Sequence, residues 1–252
     1  MKDLKSLIYE KAYDLGASIV KTASVESWEI EPIQDKEFWP QSIWPWCKKV
    51  IVIAIPMYLP MVNSTPSMLY QELYNTSNRV MDDMAYHLAS YILKLNYRAI
   101  FFPRDCYADI NVLLKNPSAA FSHVVAAYYA GVGTFGDSHN LITEEFGPRV
   151  RLVSVLTDAP IAPDSKVNKD LCLHCKKCLN ACPAKCFKEA KGKLYEYDKK
   201  ACTEYHVRLS ADNHFPCGIC ANICPVGNDI KMYRDETDIS KQGITHIQSY
   251  GS

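Results

Sequence analysis

The sequence predicts an α+β protein built in two parts, an αβ domain over residues 1–163 and a cysteine-rich module over residues 164–252. Three observations carry that reading. Apolar residues follow helical and strand periods in turn as far as residue 157. The stretch Asp158-Ala-Pro-Ile-Ala-Pro163 then breaks the pattern. Nine of the eleven cysteines lie beyond it, between Cys172 and Cys224.

The elements of the first part follow in order. Leu4, Leu7, Ile8, Ala12 and Leu15 recur at helical spacing, with Gly16 as the stop. Ser18 to Val25 reads as a short strand. The run VIVIAI (50–55) is β-branched, as in strands buried on both faces of a sheet. Residues 67–96 form a long helix, with Val80, Met84, His87, Leu88, Tyr91, Ile92 and Leu95 tracing one face. Ala99 to Phe102 is the next strand. A helix over 118–130 ends at Gly131, and VRLVSVLT (150–157) alternates as a strand. Beyond residue 163 the composition turns to Cys, Lys, Asn and Pro, with short helices at most.

A chain of 252 residues can bury one sizeable core and carry a small module. With 48% hydrophobic and 22% charged residues it reads as globular rather than disordered. A formal net charge of zero excludes a global field that captures nucleic acid, leaving only local patches. Met1 to Glu10 mixes charged and apolar residues, unlike a signal peptide. The longest apolar run, Val50 to Val62, is shorter than a membrane span and contains Pro56 and Pro60. A cytoplasmic location without membrane attachment is therefore expected, and in a reducing compartment clustered cysteines point to metal.

Their spacing is informative. Cys172-x2-Cys175-x2-Cys178-x3-Cys182-Pro183 is the bacterial ferredoxin motif. Three thiolates two residues apart wrap one corner of a cube, and the fourth points away to a second cluster. Cys202 followed by Cys217-x2-Cys220-x3-Cys224-Pro225 is the same motif with its first cysteine displaced upstream. Two [4Fe–4S] clusters are expected, the first on Cys172, Cys175, Cys178 and Cys224, the second on Cys202, Cys217, Cys220 and Cys182. A zinc ribbon on the 172/175 and 217/220 pairs is the alternative, but it leaves the third cysteine and both Cys-Pro endings unexplained. No CxxCH for a c-type haem occurs. Cys47, Cys106 and Cys186 read as small hydrophobes, with Cys186 close enough in sequence to sit near a cluster.

Several other features have two readings each. Gly131-x-Gly133-x-x-Gly136 fits a dinucleotide fingerprint, yet it follows a helix instead of a strand. It reads better as a loop approaching another flat cofactor, or as a bare turn. Trp39, Trp44 and Trp46 form an aromatic lid on the core or a wall of a cofactor pocket. Ten lysines against four acidic residues in 166–200 are a solvated face, or a docking patch for an acidic electron donor or RNA phosphate. His123 and His139 flank the glycine loop as structural histidines or ligands.

The αβ domain, the segment AGVGTFGDSHNLITEEFGPRVRLVSVLTD (130–158) and the double motif with displaced Cys202 together resemble the epoxyqueuosine reductase family. These are cobalamin-dependent iron–sulfur enzymes related to reductive dehalogenases. The resemblance is strong over 130–158 and 170–226 and looser elsewhere, as in VIVIAIPMY (50–58). It implies a nitroreductase-like domain holding cobalamin beside a ferredoxin-like double-cluster module. Electrons from a donor such as ferredoxin or flavodoxin would reach cobalt through both clusters and reduce a small molecule or modified nucleoside. Gly131, Gly133, Gly136 and Asn140 match the family's cofactor-pocket loop.

Two departures bear on the substrate. The family's catalytic carboxylate, in an Asp-x-x-Pro segment, aligns near Asn116-Pro117, where neither residue is acidic. The C-terminal helical repeats that help to bind tRNA have no counterpart in the 28 residues after Cys224, as in a short form of the family. Both argue against tRNA. The proton donors nominated instead are Asp105, Asp137, His139, Tyr128 and Tyr129. Two further readings stand beside the reductase: an electron-transfer protein serving a partner such as a corrinoid protein, and a flavin-dependent reductase holding FMN.

Overall fold

The computed structural model describes residues 2–103, 110–116, 118–191 and 194–233. Asp105 lies outside them, as do Cys106, Asp109 and Pro117.

Helix α1 (Leu4–Asp14) starts where the Asp3 carboxylate accepts from Ser6 N at 3.0 Å. Strand β1 (Ile19–Ser24) follows, then the short helices α2 (Glu26–Ile30) and α3 (Pro40–Ile43), strand β2 (Lys49–Pro56) and α4 (Leu59–Val62). Ser67 caps the long α5 (Met68–Lys94) through Tyr70 N at 3.1 Å. Strand β3 (Ala99–Phe102), α6 (Ile110–Lys115) and α7 (His123–Ala130) come next. Helix α7 begins five residues later than periodicity suggests, because the Ser122 hydroxyl caps Val125 N there. It ends at Gly131 in the left-handed conformation, φ 77°. A two-residue ladder of β4 (Thr134–Phe135) and β5 (Leu141–Ile142) leads into β6 (Val150–Thr157).

The main sheet has the order β1-β2-β6-β3, and every pairing is antiparallel. Both faces are covered, so β2 is buried throughout its interior although it is no parallel strand. Val50, Val52 and Ala54 face one core with α7, Trp28 and Leu156. Ile51, Ile53 and Ile55 face the other with α1 and the Met81, Met84, Leu88 and Ile92 stripe of α5. The buried stripe is rotated from the expected one, and Val80 and His87 are exposed. Trp39 and Trp44 pack on the first core as a lid, whereas Trp46 is exposed under the Arg98 guanidinium.

The chain then runs past β1. Asp164 accepts from Thr22 N at 2.8 Å, from Lys5 Nζ at 2.9 Å and from the Tyr9 hydroxyl. The remaining elements are α8 (Lys177–Asn180), the hairpin β7 (Phe187–Lys191) and β8 (Leu194–Tyr197), α9 (Lys199–Ala211), α10 (Ile219–Asn222) and α11 (Asp229–Met232). The 13-residue α9 exceeds the short helices expected here. Asp198 caps it at Ala201 N, 3.0 Å, and Cys202 lies in its first turn. No helix among the described residues is long and apolar enough to cross a membrane.

Candidate metal centres and the adjoining cavity

Two short helices present the cysteines in the same way. Lys176, in the left-handed region at φ 60°, precedes α8, and Gly218 at φ 66° precedes α10. Cys178 and Cys220 are the second residues of these helices, and Cys182 and Cys224 follow shortly after their ends. The repeated backbone path explains why the two motifs share a spacing. Gly218 also meets a steric demand, since a Cβ there would lie 2.5 Å from the Tyr70 ring.

The sulfurs fall into two sets. Cys172, Cys175, Cys178 and Cys224 line a small pocket. Cys182, Cys186, Cys202 and Cys217 line a cavity of about 430 Å³. Cys220 borders both spaces. Burial raises the Cys178 and Cys224 thiols, and pushes Cys217 up to about 11 and Cys220 to about 12. Such thiols stay neutral at neutral pH unless a cation displaces their protons. Cys202 differs: hydrogen bonds from Cys186 first, then from His206 and Tyr197, hold it down at about 4. Cys186 is raised in return, and its Sγ lies 3.3 Å from Cys182 Sγ. This fifth thiol of the second set is almost fully buried. Cys47 is buried far from both sets, beside Lys49 O, and burial pushes its thiol up to about 12.

Residues 137–140 form a wedge between the sets. The buried Asp137 carboxylate meets His174 Nδ1 at 2.7 Å, and His174 Nε2 meets Asp170 at 3.0 Å. These contacts raise the His174 pKa, Asp137 having the larger effect. The Ser138 hydroxyl is a hydrogen-bond partner of the Cys178 thiol. Asn140 Nδ2 donates to Ser138 Oγ at 3.0 Å and to Cys220 Sγ at 3.3 Å. His139 turns away: its Nε2 lies 2.6 Å from Tyr195 O, and its ring packs on Tyr197. This loop therefore touches both sulfur sets and the β7–β8 hairpin.

The glycines before the wedge face the chain itself. A Cβ on Gly131 would lie 2.0 Å from Ser165 O, one on Gly133 2.1 Å from Ile142 O, and one on Gly136 2.8 Å from Ile142 Cγ1. Glycine at these positions is accounted for by close packing of backbone on backbone and on Ile142.

Below Cys224 the chain is held by Arg149. Its guanidinium donates to Cys224 O at 3.1 Å, to Val226 O at 2.7 Å and to the Asp229 carboxylate. On the other side, Thr65 Oγ1 donates to Cys217 O, Phe215 N donates to Gln71 Oε1 at 3.0 Å, and the Phe215 ring meets Tyr74 edge-on. The cysteine loops are thus clamped between the start of α5 and the turn before β6.

Of the proton donors nominated from sequence, the described ones lie outside the cavity. Tyr128 and Tyr129 donate to Glu31, under the Lys166 ammonium, and burial raises both phenols, Tyr129 to about 12. His123 bridges Ser154 Oγ and Pro103 O within the sheet. The cavity is lined instead by Tyr70, Tyr74, Tyr205, His206, Phe215 and Arg151, with Asn140 and Ser138 at the sulfur wall. Arg151 is engaged by Asn78 Oδ1 at 2.7 Å and by the Tyr74 ring. Tyr70 and Tyr74 are one turn apart on α5, so their spacing is a signal legible in sequence, but it does not distinguish a cavity wall from core.

No family model matches the chain. A tetrachloroethene reductive dehalogenase of Desulfitobacterium hafniense is 30% identical over 193 residues, 70% of this chain and 32% of that protein. An epoxyqueuosine reductase of Atelocyanobacterium thalassa is 29% identical over 214 residues, 77% of this chain and 63% of that protein. The chain thus spans about a third of the reductive dehalogenases it matches and under two thirds of the epoxyqueuosine reductase. Among solved structures, a catabolic reductive dehalogenase in complex with 3-bromo-4-hydroxybenzoic acid superposes with a TM-score of 0.66 at 20% identity, over 86% of this chain and 31% of that one. The epoxyqueuosine reductase of Streptococcus thermophilus gives 0.59 at 21% identity, over 89% of this chain and 66% of that one. An epoxyqueuosine reductase with an epoxyqueuosine-modified tRNA stem loop gives 0.53 at 19% identity, over 73% of this chain and 52% of that one. A protein that shares this fold is thus seen with a tRNA stem loop.

Proposed function

We propose that this chain, a homologue of the epoxyqueuosine reductases and the reductive dehalogenases, is an iron–sulfur oxidoreductase that reductively cleaves a carbon–heteroatom bond at a bound cobalamin. One observation carries the reading. Two sulfur sets meet at Cys220, and the space between the sulfurs of the second set opens into a cavity that is also lined by Tyr70, Tyr74 and Phe215. Electrons entering through the first cluster therefore have a short route to the cavity.

The donor chemistry suits iron–sulfur clusters. The first set offers four thiols and the second four beside Cys186, and the wedge supplies Asn140 N–H toward Cys220 Sγ and the Ser138 hydroxyl toward Cys178, contacts that tune cluster potential. The first cluster would take Cys172, Cys175, Cys178 and Cys224, and the second Cys182, Cys202, Cys217 and Cys220. In this reading residues 1–163 are the nitroreductase-like domain and 164–252 the ferredoxin-like module. Beyond the sulfurs, Met57, Val62, Tyr70, Tyr74 and Phe215 give the cavity apolar and aromatic surface on which a corrin ring would rest. Bound there, cobalamin would supply a strongly reducing cobalt centre. The FMN alternative needs a phosphate cradle; the arginines of this lining are committed to Asp229 and Asn78, which leaves Lys199 and His206 as the basic groups for one.

The chain's own work is to exclude water with the Tyr70, Tyr74 and Phe215 wall and to keep protons near the substrate. Burial raises the Tyr70 phenol, so its hydroxyl stays protonated at neutral pH. With Tyr74 and Tyr205 it is a candidate proton donor at the cavity, beside the nominated Asp105, which lies outside the described residues. A modified nucleoside in tRNA and a halogenated aromatic are the substrate classes suggested by the relatives.

Anaerobic purification with iron and cobalt analysis and an absorption spectrum tests the proposal. Expected are about eight irons per chain and corrinoid bands after reconstitution with cobalamin. Zinc in place of iron sinks the cluster reading. Intact clusters with no cobalamin uptake sink the reductase reading in favour of an electron-transfer protein, and a bound flavin replaces the corrinoid by FMN.

A further inference from the structure

The two sulfur sets differ in access. Among the described cysteines, Cys175 is the exposed one, and every residue from Leu173 to Lys177 is exposed with it. The cysteines of the second set are half-buried, or buried in the case of Cys186, and line the cavity with residues of α5, α9 and the 215–220 loop. Around Cys175 the surface has a particular chemistry. Leu173 is 66% exposed, and Ile223, which precedes Cys224 of the same set, is 43% exposed. Lys176 and Lys177 stand beside them, and Lys169 lies on the same loop, paired with Glu144 at 3.0 Å. The nearby carboxylates are neutralised locally: Asp170 and Asp137 share His174, and Glu144 meets Lys169.

An apolar centre with a charged rim is the anatomy of a protein interface. Large apolar side chains left bare beside a metal-ligand sulfur call for an explanation. We propose that the face around Leu173, Cys175, Lys176, Lys177 and Ile223 docks a small acidic one-electron carrier protein and is the port through which electrons enter. The proposal rests on the two-cluster reading and adds to it the place and the chemistry of the donor. The step is a single electron transfer. The carrier is oxidised, the first cluster is reduced, and no bond or proton changes hands. The lysines steer the acidic carrier, and Leu173 and Ile223 exclude water where Cys175 brings cluster sulfur to the surface. RNA phosphate would be drawn by the same lysines, but the apolar centre, with no exposed aromatic among the described residues of this face, favours a protein.

The test uses the full chain with both clusters reconstituted. Cluster bleaching is followed by stopped flow, with either a reduced acidic flavodoxin or a small zwitterionic viologen as reductant. The double variant K176E/K177E is compared with the parent. Expected is a fall of about tenfold or more in the flavodoxin rate, a parental rate that drops as ionic strength rises, and an unchanged viologen rate. Leu173→Ser should slow flavodoxin alone and keep the salt dependence. Iron content and the EPR spectra of the reduced clusters are read on every variant. Normal clusters with an unmoved flavodoxin rate overturn the docking face and leave the cluster reading standing. Equal slowing of both reductants also overturns it, because the defect then lies in the cluster. Absence of clusters in the parent is failure of the underlying reading. If tRNA blocks flavodoxin reduction of the parent and the double variant loses tRNA binding, the face belongs to RNA and the proposal is wrong.

Discussion

The Arg149 guanidinium and the Asp229 carboxylate form a bidentate ion pair, with Nε and Nη2 at 2.7 and 2.6 Å from the two carboxylate oxygens. The arginine side chain is wholly inaccessible and the aspartate almost so. Because the same guanidinium also holds Cys224 O and Val226 O, one buried cation couples the turn before β6 to the last cysteine of the first set.

Arg149→Met is therefore expected to cost about 3–5 kcal/mol, because it leaves a buried carboxylate without its partner. Urea denaturation measures the loss. The double variant R149M/D229L should recover most of it, since removing both charges removes the unpaired one. Failure of that recovery would show that the carbonyl contacts, not the ion pair, dominate.

Gly131→Ala tests whether the glycine loop is shaped by packing. The added methyl would press on Ser165 O from a position with φ 77°. Thermal stability should fall by the same amount with and without added cobalamin. A loss that appears only with cobalamin would assign Gly131 to the cofactor instead.

Cys186→Ala separates the fifth thiol from the ligands. With the proposed ligand sets, the variant keeps about eight irons per chain, while its second cluster shifts to lower potential because the S–H contact to Cys182 is gone. Cys182→Ala should lose the second cluster's signal and keep the first. EPR-monitored redox titration of both variants checks the pair.

Asp164 predicts a pH effect. Burial alone would raise its carboxyl, but Tyr9, Lys5 and Thr22 N outweigh that and hold it below the ordinary value of 3.8. A lowered folded pKa means that the folded chain binds the proton less readily than the unfolded one. The stability it contributes is complete above 3.8 and fades as pH falls through the lowered value. Asp164→Asn should cost about 1–3 kcal/mol near neutral pH. The gap between variant and parent should narrow on acidification below 3.8, as read from denaturation curves across pH.

The local elements were legible because period and caps are local properties. Leu4–Asp14, Lys49–Pro56, Ala99–Phe102 and Val150–Thr157 fall where their apolar patterns put them. The antiparallel pairing of β2 was not legible, because a strand buried on both faces reads the same in either direction. Helix α9 was missed because its mixed apolar pattern gives no clear stripe, while its cap, Asp198, directly follows a hairpin that sequence did not reveal.

By itself, the sequence determined how the cysteines are grouped, since motif spacing is a local property of the chain. Tertiary structure alone decided what stands around them. Arg149 and Asp229 are 80 residues apart, and Asn140 and Cys220 are likewise separated by 80. Contacts of that range leave no period in the chain. For the same reason the packing of Gly131 and Gly133 against the backbones of Ser165 and Ile142 left no mark in the sequence. The cavity wall has the same origin: Tyr70 and Tyr74 of α5 meet Tyr197, Tyr205 and His206 there only because distant segments of the chain fold together.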